Sequence, residues 1–448
     1  MIKLNAREEE YNLLNKAFDD LFPICRSITG LGIEQSLDYF QQYMPLDIDR
    51  VASGTKVFDW QVPPSWIFYR ARLWDPSGNL ICDTEVNNLH VVNYSEPVDA
   101  VFDLDYLQSH LHSLPHLPEA IPYVTSYYNK TWGFCLTQNQ RDGLKPGRYR
   151  VLIESKFDDD GGVPFAQCAL KGESNKEILL TSYLCHPSMA NNELSGPLVL
   201  LGLFNRIKNW PKRRFTYRFV LNPETIGSLC FLYKNFNNLR DNLEAGLILT
   251  CMGGPNPKWR YKASRRGDSL FDKLAISDFL NNWISMPFSP LSGSDERQYC
   301  APGFNLPMGQ VSKTSYGQYD GYHNSLDNKE FMSIDAIIES IDELESMLIC
   351  AEYGGKVINL SPYGEPQLGK RGLYPNMNSF SNSKKSSDSK LDGRQELNAL
   401  LTILSEADGS KFMIDIAKKM GVPINELYDL LDKLEQTKLV KFNSGEEL

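Results

Sequence analysis

The sequence predicts an α/β protein in which a mostly parallel, mixed sheet is covered by helices on both faces. Between residues 147 and 377, apolar strand patterns alternate with helical ones, which is typical of such sheets. Residues 58–146 carry hairpin signals instead, and a Ser/Asn/Lys-rich run at 378–390 precedes a last helical segment. At about 150 residues per domain, 448 residues allow this α/β domain, an inserted β-rich domain and a C-terminal winged helix.

The α/β domain is predicted to comprise residues 1–57 and 147–377. Residues 8–18 have the apolar rhythm of a helix, and a second helix follows Gly30 and Gly32. Further strands are predicted at 149–157, 177–184, 215–221, 246–251 and 303–311, and further helices at 195–208, 225–233, 269–283 and 334–353. The segment EILLTSYL at 177–184 is nearly continuous in apolar residues, which is the pattern of a strand buried on both faces.

Two further domains are predicted from changes in pattern. In the insertion at 58–146, residues 66–71 alternate as in a strand and are followed by the turn signal PSG at 76–78. Beyond the linker predicted at 378–390, residues 391–448 hold three helical segments and a short final strand. This order is typical of a winged helix.

The charge balance argues against some classes of partner. The net charge is −10, from 46 basic and 56 acidic residues, which does not suit a protein that coats nucleic-acid phosphates or an anionic membrane. Residues 390–448 carry a net charge of −3, so the winged helix is expected to bind a protein partner or to self-associate. We find no apolar run long enough to span a bilayer and no signal peptide, and we expect a cytoplasmic protein.

Polar side chains follow several predicted strands at the point where each strand ends. His186 comes after the strand at 177–184, and Glu224 follows the next strand along the chain. The loops GSDERQY at 293–299 and YDGYHNSLD at 319–327 add acidic residues and a second histidine. Because the carboxyl ends of parallel strands meet at one edge of a sheet, we expect these side chains to converge. Imidazoles with carboxylates suit zinc, and a strand-end glutamate beside them suits general-base catalysis.

Each of these residues also has an ordinary structural interpretation. His186 and His323 are compatible with hydrogen-bonded loop histidines, and Glu224 with a carboxylate at a helix N-terminus. Asp295 and Glu296 are compatible with a solvated turn. Convergence at the sheet edge is therefore the observation that separates a site from scattered loop residues.

Five segments resemble the bacterial DUF4910 proteins, whose aminopeptidase-like domain is related to the M28 zinc aminopeptidases. They are HPSMANNELSG (186–196), PETIGS (223–228), GSDERQYCAPGFNLP (293–307), YHNSLD (322–327) and EPQLGKRGLYP (365–375). The resemblance covers essentially the whole chain. It implies that residues 58–146 form a DUF2172 domain and that a winged helix follows, and many relatives are named for polysaccharide biosynthesis.

The resemblance implies that His186 and His323 bind zinc and that Glu224 is the general base. Asn192, Thr225 and Cys251 stand where the M28 enzymes have anionic ligands. Because two cations about 3.5–4 Å apart repel strongly without a bridging anion, one zinc ion is expected rather than two. The expected ligands are His186, His323, Asn192 and a carboxylate from Glu224, with Glu193, Asp295, Glu296 or a Cys251 thiolate as alternatives to Glu224.

The sequence therefore favours a metal-dependent hydrolase that cleaves a small peptide or another amide. Zinc would activate a water molecule, and Glu224 would transfer its proton to the leaving amine. The residues expected to line the substrate pocket are Asp295, Glu296, Arg297 and Tyr322. The alternative is a catalytically altered, ligand-binding protein of the same fold that is associated with polysaccharide biosynthesis.

Overall fold

The computed structural model describes residues 2–276, 282–374, 391 and 393–442, so the linker predicted at 378–390 lies outside the described residues. The helices are α1 Ile2–Leu21, α2 Leu31–Gln41, α3 Leu104–Leu107, α4 Gln138–Asp142, α5 Ser195–Ile207, α6 Ile226–Asn242, α7 Leu270–Ala275, α8 Glu296–Tyr299, α9 Ile334–Gly354, α10 Gly393–Glu406, α11 Met413–Met420 and α12 Tyr428–Gln436. Among the described residues, none of these helices combines the length and apolar character needed to cross a bilayer.

The strands belong to one large sheet and several smaller ones. They are β1 Asp47–Ala52, β2 Lys56–Val57, β3 Trp60–Gln61, β4 Ser65–Trp74, β5 Leu80–Asp83, β6 Val98–Asp103, β7 Leu111–His112, β8 Phe134–Cys135, β9 Arg148–Asp158, β10 Gly162–Leu170, β11 Glu177–Tyr183, β12 Thr216–Asn222, β13 Leu243–Leu249, β14 Trp259–Lys262, β15 Trp283–Met286, β16 Met308–Ser312, β17 Lys356–Asn359, β18 Asp408–Phe412 and β19 Val440–Phe442.

The large sheet has eight strands in the order β1-β10-β12-β11-β13-β16-β14-β15. The central strands β12, β11, β13 and β16 run parallel, whereas β10 and β14 are antiparallel to the central strands beside them. Leu180 of β11 packs into a core that includes α5 and α9, and its neighbour Leu179 packs into a second core that includes α6. Since successive strand residues point to opposite faces, both faces are covered. The predicted α/β fold with a mixed sheet is confirmed.

The inserted region contains a second, antiparallel sheet in the order β5-β4-β9-β6. The predicted hairpin is present as β4 and β5. Strand β9, which the sequence grouped with the α/β domain, pairs instead with β4 and β6. Its buried residues Tyr149, Val151 and Ile153 alternate with more exposed ones, a pattern that fits a half-buried strand in either sheet. The DUF2172 assignment of this region stays a prediction.

The C-terminal module starts before the predicted position 391. Strand β17 lies between β18 and β19 in a three-stranded sheet, so the module takes a strand from the chain ahead of the linker. Helix α12, which occupies the position of a recognition helix, faces the α/β domain. Glu435 of α12 pairs with Arg214, and Tyr353 Oη donates to Asp432 at 3.1 Å.

One predicted helix is shorter than expected. The pattern at 269–283 predicts a single helix, but α7 ends at Ala275 and Trp283 is the first residue of β15. Residues 277–281 lie outside the described part of the chain. The prediction was wrong at Trp283 because a bulky aromatic residue suits a strand that pairs with β14, where Trp259 is its register partner.

Candidate functional site

The candidate site lies at the carboxyl ends of β11, β12 and β13. His186 follows β11, Glu224 follows β12 and Cys251 follows β13, while a separate loop brings His323 to the same edge. Thr225, Cys251 and His323 have φ values of 61°, 54° and 58°. A left-handed backbone is uncommon outside glycine and costs energy, and such residues cluster at functional sites.

His186 is held in one orientation by a buried carboxylate. Its Nδ1 lies 2.8 Å from Glu193 Oε2, and the backbone N–H groups of Cys185 and His186 donate to Glu193 Oε1. Arg26 is fully buried beside this pair, with its Nε 3.9 Å from Glu193 and 3.1 Å from the His186 carbonyl oxygen. The other ring nitrogen, Nε2, faces Glu224 Oε2 at 3.8 Å. The outward nitrogen is therefore the one available to a ligand.

Electrostatics at His186 favour a positive charge at this position. Burial alone disfavours the charged ring, but Cys185 and Glu193 outweigh it and raise the pKa of His186 well above its usual value. Burial, together with the neighbouring His186, lowers the pKa of His323 to about 3. One imidazole is thus neutral, and a cation that binds the other would displace a proton from Nε2.

A π-helical turn at Ala190–Leu194 brings Asn192 to the site. Asp327 holds this turn because its two carboxylate oxygens accept the N–H groups of Asn191 at 2.7 Å and of Asn192 at 2.8 Å. The Asn192 amide nitrogen donates to Tyr183 Oη at 3.0 Å. Its Oδ1 is buried and has no hydrogen-bond donor among the described residues. Because a buried unpaired oxygen costs about 1–3 kcal/mol, this atom is suited to a ligand that supplies positive charge.

The loop of His323 is fixed by the inserted region. The ring centroids of His186 and His323 are 5.3 Å apart, and Tyr322 stacks on His323 at 4.1 Å. The Tyr123 backbone N–H donates to the His323 carbonyl oxygen at 2.9 Å, and the Tyr123 ring lies 5.0 Å from the His186 ring. The insertion therefore contributes directly to the position of the second histidine.

Glu224 is oriented by its neighbours and remains accessible. Its Oε1 accepts a hydrogen bond from Ser294 Oγ at 2.6 Å, and its side chain is 28% exposed. Asp295 is buried and accepts the Thr225 N–H at 2.7 Å, so it stabilises the left-handed turn beside Glu224. Burial, and then the charge of Glu224, raise the pKa of Asp295 to about 7.

The residues expected to line the substrate pocket lie in different places. Asp295 supports the turn described above, and Glu296 is fully buried in an ion pair with Lys262 at 2.7 Å. Arg297 lines a separate cavity of about 570 Å³. Tyr322 lines the cavity in front of Glu224, which has a volume of about 280 Å³. The two acids are therefore bound to protein donors rather than directed at a substrate.

Burial disfavours the thiolate form of the cysteines at the site. Cys185, His186 and Glu193 bring potential metal-binding atoms within 4.8 Å of one another, but His186 uses Nδ1 for Glu193 in this arrangement. Burial raises the pKa of Cys185 to about 11 and that of Cys251 to about 12. Cys251 lines the same cavity as Glu224 and accepts a weak hydrogen bond from Asn192 at 3.7 Å. The thiolate ligand considered from the sequence would have to lose its proton on metal binding.

Sequence reasoning missed Arg26, Tyr123 and Arg260. No sequence signal links Arg26 to His186, because the two are 160 positions apart. Tyr123 lies in a proline-rich stretch whose fold the pattern does not predict. Arg260 had a readable signal, since it alternates with buried Trp259 and Tyr261 on a short strand and so points to the other face.

Comparisons with known proteins divide the chain into an α/β part and a C-terminal module, as the fold does. The family DUF4910, a domain of unknown function, matches residues 15–353, and a winged helix-turn-helix family, HTH_47, matches residues 356–442. A Clostridium acetobutylicum protein is 39% identical over 436 residues, covering 97% of this chain and 96% of the relative. Its provisional name is polysaccharide biosynthesis protein with aminopeptidase-like domain.

Solved structures share the architecture. A crystal structure from Clostridium acetobutylicum, provisionally described as a peptidase, has a TM-score of 0.82 at 37% identity and covers 98% of this chain and 97% of its own. BSAP, a zinc aminopeptidase from Bacillus subtilis, has a TM-score of 0.54 at 11% identity and covers 76% of this chain and 93% of its own. This likeness shows the fold alone. The aminopeptidase-like fold and the C-terminal winged helix expected from the sequence are confirmed, and the chain belongs to the DUF4910 family.

Proposed function

We propose that this chain is a metal-dependent hydrolase that cleaves an amide bond, with one zinc ion bound by His186, His323 and Asn192. The observation that carries the proposal is the orientation of His186, whose Nδ1 is bound to buried Glu193 while Nε2 faces Glu224 at 3.8 Å. A carboxylate behind an imidazole fixes the tautomer and direction of zinc-binding histidines in proteins.

The donor set fits a single zinc ion. Two imidazole nitrogens and an oxygen would supply three protein ligands, which is the number that catalytic zinc sites typically use. Asn192 Oδ1 is buried without a donor and would supply the oxygen. A second ion is disfavoured because Asn192 is neutral and stands where the resemblance implies a bridging anion, so the two positive charges would lack that bridge.

Glu224 would move the proton in the reaction. When bound, zinc would polarise the substrate carbonyl and lower the pKa of a neighbouring water. Glu224 Oε2 would take a proton from the attacking water and deliver it to the leaving nitrogen. Ser294 keeps the carboxylate in place by donating to Oε1 at 2.6 Å, and Asp295 supports the turn beside it. The substrate class is a small peptide or another amide.

The test is Glu224→Gln in the full chain, assayed by amine release from a panel of aminoacyl amides and N-acylated sugars. Loss of a general base should lower turnover by about 10²–10⁴-fold while zinc content stays unchanged. Glu8→Gln, which alters an exposed carboxylate on α1 away from the site, is the matched control. Retained turnover in the Glu224 variant would reject the assignment.

A ligand-binding protein without catalysis is the second candidate. It is favoured by the neutral groups of Asn192 and Cys251 at the cavity wall, where the M28 enzymes are expected to have anionic ligands. The relative from Clostridium acetobutylicum carries a name that refers to polysaccharide biosynthesis. Tight binding of an N-acylated sugar with no amine release under any metal loading would favour this candidate.

For the C-terminal module we infer a role in contacts between proteins. Its helix α12 is turned toward the α/β domain, where Glu435 pairs with Arg214 and Asp432 accepts from Tyr353. The face of α12 that carries Asp432 and Glu435 is occupied by these contacts and is not available to a DNA groove. Gel-shift titration with mixed-sequence duplex DNA should therefore show no binding at physiological salt, and clear binding would overturn the inference.

A further inference from the structure

One wall of the cavity in front of Glu224 is formed by the short strands at the edge of the large sheet. Arg260 and Lys262 of β14 lie two positions apart and so point to the same face. Across the ladder, Arg260 is in register with Ser312, and Lys262 is in register with Gln310. All four residues line the cavity. The edge strands thus present a polar face with two basic side chains to the site.

The two basic residues differ in how their charges are balanced. Lys262 Nζ pairs with the buried carboxylate of Glu296 at 2.7 Å and donates to the Ser289 carbonyl oxygen at 2.6 Å. Arg260 Nε is buried without a hydrogen-bond partner, and Arg260 Nη1 has only a weak contact with Met286 Sδ at 3.7 Å. Within the described residues, no acidic side chain forms an ion pair with Arg260. Its charge is therefore uncompensated at the wall of a cavity.

The missing partner of Arg260 has a definite chemistry. A guanidinium presents parallel N–H donors that match the oxygens of a carboxylate or a phosphate, and such charge-assisted pairs are strong. A buried donor left unpaired costs free energy, so a ligand that completes the fork is favoured. Ser292, Ser312 and Ser315 add hydroxyl groups to the same cavity, and these suit a ligand with hydroxyl groups of its own.

We propose that Arg260 binds an anionic group, a carboxylate or a phosphate, on a hydroxylated amide substrate. The proposal rests on the function proposed above, since it places the amide of the same molecule at Glu224. It makes Arg260 the residue that selects anionic over neutral substrates. Lys262 is excluded from this role because Glu296 already neutralises it.

The experiment measures binding by isothermal titration calorimetry on the full chain, with three probes that share an N-acetylated sugar. N-acetylglucosamine is neutral, N-acetylmuramic acid adds a carboxylate, and N-acetylglucosamine 6-phosphate adds a phosphate. At least one anionic probe should bind the wild-type chain tenfold or more tightly than the neutral one. Which anion is preferred identifies the group that Arg260 receives.

Variants at Arg260 test whether this residue is the cause. Arg260→Met should abolish the preference for the anion, so that the charged and neutral probes bind with similar affinity. Arg260→Lys should retain only part of the preference for the anion, because a lysine ammonium lacks the paired N–H donors of a guanidinium. Arg266→Met removes an exposed arginine from the loop that follows β14, where it pairs with Asp268, and should leave the preference intact. Circular dichroism checks that each variant is folded. If Arg260→Met is unfolded, Arg260→Lys serves as the test variant.

Several results would overturn the proposal. One is equal binding of charged and neutral probes to the wild-type chain, and another is no binding of either anion in the millimolar range. A third is a preference for the anion that is as large in both Arg260 variants as in the wild-type chain. Failure of the proposed function is a separate result. If the wild-type chain prefers the anion but releases no amine, hydrolysis is rejected and the assignment of Arg260 stands. If it cleaves amides without preferring anions, the assignment of Arg260 is rejected.

Discussion

Glu193→Gln exchanges one carboxylate oxygen for an NH₂ group at the support of His186 while keeping the size of the side chain. In the wild-type chain both oxygens accept, one from two backbone N–H groups and the other from His186 Nδ1 at 2.8 Å. If the amide oxygen of the variant keeps the backbone donors, its NH₂ group faces His186 Nδ1. The ring then has to accept at Nδ1 and carry its proton on Nε2, which is the nitrogen proposed to bind zinc.

The magnitude follows from burial. The side chains of Glu193 and Arg26 are both fully buried, with 3.9 Å between Arg26 Nε and Glu193 Oε1. Removing one partner of a buried pair costs about 3–5 kcal/mol, because the other charge stays buried without compensation. Since the glutamine keeps part of the hydrogen bonding, we expect the lower end, a loss of about 3 kcal/mol in the free energy of unfolding. Loss of the carboxylate behind a zinc-binding histidine typically weakens the metal by about 10–100-fold.

Two assays measure these effects. Urea unfolding of the metal-free chain gives the stability, and competition with a chromophoric chelator gives the zinc affinity. The control is Glu8→Gln, which alters an exposed carboxylate on α1 and should change stability by less than about 1 kcal/mol. A Glu193→Gln variant with wild-type stability and wild-type zinc affinity would refute the role assigned to this buried carboxylate.

Two further substitutions test packing, one beside the site and one at the contact with the C-terminal module. Gly196→Ala should destabilise the chain by about 3 kcal/mol or more, because an added Cβ would overlap Ser182 Oγ and the Leu249 carbonyl oxygen. Gly369→Ala has open space around it and is the control; equal unfolding midpoints for the two variants would contradict this reasoning. Arg214→Ala removes the ion pair to Glu435 and the guanidinium contact with the Phe442 ring at 3.9 Å, so limited proteolysis should release the C-terminal module faster. An unchanged cleavage rate would show that this contact does not hold the module.

Much of the fold follows from local patterns in the sequence. The continuous apolar run at 177–184 and the alternation at 66–71 are recovered as β11 and β4, because both periods are set by which faces are buried. The pairing of β9 with the insertion is not a local property, since its alternation suits either sheet. The strand β17 was missed for a similar reason, because it is short and its partners lie beyond the linker.

The candidate site was predicted only in part. Convergence of His186, Glu224 and His323 follows from the rule that strand ends share one edge, and the structure brings them together. The interpretation of Asp295 and Glu296 as substrate ligands did not anticipate their burial. Their partners, the Thr225 N–H and Lys262, come from other strands and turns, so adjacent acids in the sequence give no sign of them.

Zinc content per chain, measured by elemental analysis after dialysis against a weak chelator, tests the metal site most directly. We expect about one ion per wild-type chain and its loss in both His186→Ala and His323→Ala, because each removes one of the few ligands of a single site. His116→Ala alters an exposed histidine and should retain the ion. Zinc content that is the same in all four proteins, or that is lost only on Cys185→Ser, would contradict the site at His186 Nε2.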